Sequence, residues 1–179
     1  MKLTAIQEQE SHGTLVLKAP KRLTPASMYK NYKKIFLAGS IDMGKAEDWQ
    51  TRLTNEILNG DYDNVAIFNP RRDDWDSSWE QSIKNKQFRE QVEWELDHLD
   101  RADLIVVYFD PKGQAPITLM ELGLHAEEDI VVCCPDGFWR KGNVEIVCDR
   151  FGIPLVDNID SLIDYVHEAL ESYLERCSA

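Results

Sequence analysis

Residues 103–110 read DLIVVYFD, an apolar run with no charge between its two aspartates. A strand with one wet face alternates apolar and polar side chains, so a run without alternation must be covered on both faces. Helices above and below a parallel sheet supply that cover, and the rest of the chain has the rhythm to provide them. KKIFLAGS (33–40), NVAIFNP (64–70), DIVVCC (129–134) and GIPLV (152–156) are further short apolar runs, the second stopped by Pro70. Between them lie helical patterns. Residues 46–59 repeat apolar side chains at Trp49, Leu53, Ile57 and Leu58, and residues 84–100 place Phe88, Val92, Glu95, Leu96 and Leu99 on one side. Residues 118–127 form a shorter helix, and Asn143 is placed to cap another that reaches about residue 150. The chain closes on an amphipathic helix through Ile159, Leu162, Ile163, Val166 and Leu170.

Strands alternating with helices specify a doubly wound α/β domain, flavodoxin-like or Rossmann-like, with a mainly parallel five-stranded sheet and helices on both faces. Residues 33–179 are assigned to this domain and residues 1–32 to an N-terminal extension, where GTLVLKAP offers an extra edge strand and KRLTPASMYKNY a polar connector. Ligands of such folds bind beyond the carboxyl ends of the strands, where strand order reverses. Those ends are residues 39–44, 69–76, 110–121 and 135–139, and any chemistry is expected among them.

Bulk properties narrow the ligand. A formal net charge of -12 argues against a nucleic-acid polymer as partner, because backbone affinity is built from clustered Lys and Arg. It leaves room for one small nucleoside or nucleotide in a local pocket. No apolar run approaches the ~18 residues of a membrane span, and MKLTAIQEQESHGTLVL lacks a signal-peptide core, so a cytoplasmic protein without a membrane partner is expected. Cys133, Cys134, Cys148 and Cys177 form no C-x-x-C, and H-E-x-x-H does not occur. Reduced buried thiols are therefore expected, with no metal, disulfide or cofactor. Cys133 and Cys134, adjacent in a strand, should point to opposite faces.

Four stretches fall where chemistry is expected. AGSIDMG (38–44) joins a strand to a helix, and its small residues let a ligand approach the backbone at Gly39 and Ser40, with Asp42 close by. It is neither a G-x-G-x-x-G fingerprint nor a Walker A loop. NPRRDDWDSSW (69–79) gathers Asn69, Arg71, Arg72, Asp74 and Trp75. Trp can stack a base and Arg can clamp an oxyanion, or the arginines can simply pair with Asp73, Asp74 and Asp76. In EWELDHLDRAD (93–103), Glu95 shares the inward helix face with Leu99. Glu121, between Met120 and Leu122, stands where a strand gives way to a helix and has no basic neighbour in sequence. It is either a helix-start carboxylate steadied by the macrodipole or a nucleophile or base at the sheet rim.

In order, KIFLAGS, WELDHLDRADLIVVYF and ITLMELGLHA resemble the nucleoside 2-deoxyribosyltransferase-like superfamily, which includes deoxyribosyltransferases and 2'-deoxynucleoside 5'-monophosphate N-glycosidases. NPRRDDW and WEL mark a divergent branch of it. The resemblance covers about residues 33–135. It implies that Glu121, in the E-L-G motif, is the nucleophile. It also implies that Glu95, eight residues before Asp103, is the supporting acid, where the family usually has Asp. Six residues before the nucleophile, transferases carry a sugar-contacting Asp and the monophosphate hydrolases a phosphate-binding Ser; this chain has Ala115, followed by Pro116. Thr118, Arg71 or Arg72 is the candidate replacement. Trp75 or Trp49 would stack the base. Family likeness further implies a homo-oligomer. Two functions stay open on the residues: an enzyme that cleaves or exchanges an N-glycosyl bond of a (deoxy)ribonucleoside or its 5'-monophosphate, as hydrolase or transferase, and a non-catalytic nucleotide or nucleotide-sugar binding module with the same pocket.

Overall fold

The computed structural model describes residues 10–11, 13–22, 30–40 and 48–178. In chain order its elements are β1 (Glu10–Ser11), β2 (Thr14–Lys18), β3 (Lys33–Gly39), α1 (Trp49–Asn59), β4 (Val65–Asn69) and α2 (Lys86–Leu99). Then come β5 (Leu104–Tyr108), α3 (Pro116–Leu124), β6 (Ile130–Cys133), α4 (Lys141–Phe151), β7 (Leu155–Val156) and α5 (Ile159–Ser178). The strands form one sheet in the order β1-β2-β4-β3-β5-β6-β7, with β1 antiparallel to β2 and every other pairing parallel. This is the doubly wound α/β class expected. The parallel strands number six rather than five because β2 pairs with β4 along its whole length, Thr14 opposite Val65 through Lys18 opposite Asn69. Its buried Leu15 and Leu17 make that pairing worthwhile.

Alternation along each strand divides the core between the two faces of the sheet. Ile35 and Leu37 of β3 join one cluster with Trp49, Leu53, Leu162 and Val166 of α1 and α5. Phe36 and Ala38 join the other with Trp94, Leu99, Leu122 and Val144 of α2, α3 and α4. All five residues of β5 are buried, as the unbroken apolar run requires. Each such Val, Leu or Ile contributes roughly 1.5–3 kcal/mol on leaving water. Cys133 and Cys134 fall into opposite clusters, and Cys133, Cys134 and Cys148 are free and buried. Burial pushes the Cys133 and Cys134 thiols up to about 12, so neither is a ready nucleophile. Cys177 has its side chain outside the described residues. Among the described residues, no helix is long and apolar enough to cross a membrane.

Helix starts follow local chemistry. The Asp48 carboxylate accepts from Thr51 N–H at 3.2 Å ahead of α1, and the Asn85 side-chain oxygen Oδ1 accepts from Phe88 N–H at 3.0 Å ahead of α2. α3 begins at Pro116, earlier than its apolar spacing indicates, because proline's fixed φ and missing N–H suit the first helical position. Asn143 does not cap α4, which starts at Lys141 and leaves Asn143 inside its first turn. On α2 the register differs from the expected one in one respect. Trp94 is fully buried and donates through Nε1 to the Lys21 carbonyl at 2.7 Å, whereas Leu96 is exposed. The larger ring takes the core position.

β3 lies at the middle of the sheet. From it the chain passes to β4 on one side and then crosses to β5 on the other, so the connections leave in opposite directions and open a crevice beyond the carboxyl ends of β3 and β5. Gly39 sits at that point. A Cβ there would lie 2.5 Å from the Tyr108 carbonyl oxygen and 2.7 Å from the Trp49 ring, so only glycine lets the strands approach.

Candidate active site

A cavity of about 450 Å³ occupies the crevice, bounded by the end of β3, the loop after β4, the inner side of α2 and the first turns of α3. Pockets that enclose small ligands fall within roughly 300–1,000 Å³. Its walls are largely apolar, with Phe36, Phe88, Val92 and Ile117 among them, and the polar groups are few: Ser40, Gln81, Gln91, Glu95, Thr118 and Glu121.

Glu121 reaches the cavity because Thr118, Glu121 and Leu122 form the buried side of α3, the i, i+3, i+4 face of a helix. It is 8% exposed. The helix is aimed by its entry: Ala115 has φ 43° and ψ 49°, a left-handed conformation that costs a residue with a Cβ roughly 1–2 kcal/mol. Ala115 also lines the cavity, so local strain and the pocket coincide. Glu95 arrives from α2, where the Gln91 amide donates to its Oε1 at 2.9 Å. Among the described residues neither carboxyl is within ion-pair distance of a Lys, Arg or His.

Burial without a counter-charge disfavours ionisation of both groups. It pushes the Glu121 carboxyl up to about 8, with the Glu95 charge adding to the effect. Glu95 is also raised by burial, against which the Gln91 donor favours its charged form. At neutral pH Glu121 therefore keeps its proton, and burial favours the protonated form of Glu95 as well. A nucleophile at Glu121 requires that carboxyl to give up its proton.

The structure brings six of the sequence candidates together as lining: Gly39, Ser40, Trp75, Glu95, Thr118 and Glu121. Ser40 ties β3 to β5, its N–H donating to Tyr108 O and its Oγ accepting from Asp110 N–H, both at 3.1 Å. Trp75, 41% exposed, stands at the rim and rests edge-on against Trp79 at 5.2 Å. Five candidates do not line the cavity: Asn69, Arg71, Arg72, Asp74 and Trp49. Asn69 turns its carbonyl oxygen to Arg71 N–H at 2.9 Å and so closes the turn after β4. Arg71 pairs with Asp48 at 3.2 Å. Arg72 grips Asp74 through Nε at 2.6 Å and Nη2 at 3.1 Å, adds Glu90 at 3.1 Å, and lies 5.0 Å over the Trp79 ring. Arg72 is thus spent partly on an aspartate of its own loop, as proximity in sequence allowed, whereas Arg71 pairs with Asp48 outside the loop. Trp49 is fully enclosed, packed on Tyr108 with Nε1 donating to Ser40 O at 3.3 Å, and cannot stack a ligand. Asp42 lies outside the described residues. Sequence reasoning passed over Gln91, which is 4% exposed and lines the cavity. Its signal was the four-residue spacing to Glu95 on the same helix face.

Fold and site together define a doubly wound α/β protein with a pair of carboxyls lining a cavity at its switch point. More narrowly, the chain belongs to the nucleoside 2-deoxyribosyltransferase-like family, whose model matches residues 32–138, more than half of its length. That membership supports a nucleoside-related glycosyl-transfer function with a small molecule as partner. Among solved structures, the chain is similar to a conserved protein from Enterococcus faecalis, with 12% identity, a TM-score of 0.54, and coverage of 78% of this chain and 99% of the other. At that identity the likeness concerns the fold. No curated protein matches the sequence.

Proposed function

We propose that the protein cleaves or exchanges the N-glycosyl bond of a (deoxy)ribonucleoside or its 5'-monophosphate. The observation that carries this reading is the buried Glu121 and the half-buried Glu95, which have no counter-cation among the described residues and line one cavity of nucleoside size. Two carboxyls in one site are the usual equipment for opening a glycosidic bond through an oxocarbenium-like transition state.

The steps balance as follows. In the reactive form the pair carries one proton, held by Glu95, and Glu121 is ionised. The Glu121 carboxylate attacks C1', the C1'–N bond breaks with its electron pair going to the base, and Glu95 delivers the proton to that base. A glycosyl ester on Glu121 results. Glu95, now ionised, takes a proton from water (hydrolysis) or from an incoming base (transfer) as its oxygen or nitrogen bonds to C1', and the C1'–O ester bond breaks with its electron pair returning to the Glu121 carboxylate. Trp75 supplies a face for the base at the rim, and Thr118 is the polar group on α3 nearest in the chain to Ala115. The homo-oligomer implied by the family is part of the same proposal. Ile117, Met120 and Leu124 are exposed along α3 at a spacing that forms one apolar stripe.

The deciding experiment incubates the protein with deoxynucleosides, ribonucleosides and their monophosphates, with and without an acceptor base, and follows released or exchanged base by chromatography. Glu121→Gln is expected to lower turnover by at least ~10³-fold while the fold persists. A variant that keeps full activity would remove Glu121 from the mechanism, and ligand binding without turnover in the parent protein would favour a non-catalytic module.

A further inference from the structure

Glu121 is 8% exposed, and its carboxyl has neither a hydrogen bond nor an ion pair among the described residues. Its oxygens are not among the fully enclosed atoms that lack a partner, so they keep surface open to the cavity that Glu121 lines. Glu95 lines the same space and has one donor, the Gln91 amide at 2.9 Å. Among the described residues no Lys, Arg or His lines the cavity. The arginines of the loop after β4 are held by Asp48, Asp74 and Glu90. Aromatic rings complete the wall, Phe36 and Phe88 with Trp75 at the rim. A carboxylate withdrawn from water without a partner is costly, and a ligand that brings a cation removes that cost. Aromatic faces attract the same charge, and a chain of net charge -12 draws cations toward it rather than anions.

We propose that the substrate's base carries a positive charge at its glycosidic nitrogen, as in an N-ribosylpyridinium, and supplies the counter-ion that Glu121 and Glu95 lack among the described residues. The inference rests on the reading of Glu121 as the nucleophile. It accounts for how that nucleophile becomes ionised: burial raises the Glu121 carboxyl to about 8, and a cation in the cavity opposes the shift. The Glu121 carboxylate bonds to C1', and the C1'–N bond breaks with its electron pair neutralising the ring. The base leaves uncharged and, unlike a neutral one, needs no proton. Ionised Glu95 then takes a proton from water as the water oxygen bonds to C1', and the ester bond breaks back to the Glu121 carboxylate.

The test uses two ligands of one shape, 1-methylnicotinamide and 3-methylbenzamide, which differ in a ring atom, a cationic nitrogen against a carbon. Calorimetry near pH 8 compares their Kd in the parent protein and in Glu121→Gln. The parent is expected to bind the cation more tightly by at least ~10-fold, and the margin is expected to fall in Glu121→Gln. Equal or weaker binding of the cation, or a margin undiminished in Glu121→Gln, overturns the inference. Nicotinamide riboside is then offered as substrate, and released nicotinamide is expected. Turnover of neutral nucleosides without turnover of nicotinamide riboside overturns the inference and leaves the glycosyl reaction standing. Preference for the cation in binding, without turnover of any nucleoside, supports the cation site and overturns the reaction instead. If Glu121→Gln fails to fold, the parent's margin and the nicotinamide riboside comparison decide.

Discussion

Glu121 is a carboxyl held where water would normally be needed to ionise it, and two measurable properties follow. The first is a pH profile. A neutral base requires one proton on the pair, so kcat/KM for such substrates is expected to fall above pH about 8, where the second carboxyl ionises and no acid remains for the base. A rate that stays flat from pH 7 to 9.5 would contradict the shared-proton scheme. The second is stability. Glu121 binds a proton in the native state between its ordinary value of 4.5 and about 8, a range in which the unfolded chain has released it. Stability contributed at this position therefore falls as pH rises through that window, by a total on the order of a few kcal/mol. Glu121→Gln removes the slope. Its advantage over the parent in urea midpoint is expected to be small near pH 5 and largest near pH 8. A difference independent of pH would mean that the buried carboxyl costs nothing to ionise.

At the scale of elements, the pocket depends on how closely β3 and β5 approach at Gly39. Gly39→Ala places a methyl 2.5 Å from the Tyr108 carbonyl and is expected to cost at least ~1–3 kcal/mol in urea denaturation, since backbone must move. An unchanged midpoint would show that the strands separate freely there. The same elements show how much of the site was legible beforehand. The strand-to-helix turn at Gly39 and Ser40, the register of Glu95 on α2 and the rim position of Glu121 all follow from periodicity, which records which side of an element is dry. The loop after β4 was less legible. Arg71, Arg72 and Asp74 looked equally suited to a ligand and to one another, and the loop's path alone settled that Arg72 grips Asp74 and Glu90. Trp49 misled for a related reason, since a position next to the turn does not tell whether a ring faces the cavity or the core.

For the whole molecule, the exposed stripe on α3 bears on assembly. Ile117, Met120 and Leu124 are 55%, 53% and 62% exposed, and a second copy covering them is the expected explanation for three large apolar side chains on one face. Sedimentation at micromolar concentration is expected to find a dimer or larger species, and Leu124→Lys to shift it toward monomer. A monomeric parent would remove this element of the proposal. What the amino-acid order determined unaided was the class of fold and the rim on which a ligand must sit, because hydrophobic period and strand–helix alternation are local properties written in consecutive residues. Tertiary structure alone decided which polar groups share the cavity and that the Glu121 carboxyl is raised far above its ordinary range. Those outcomes depend on desolvation and on partners distant in the chain, and both arise only when the elements pack.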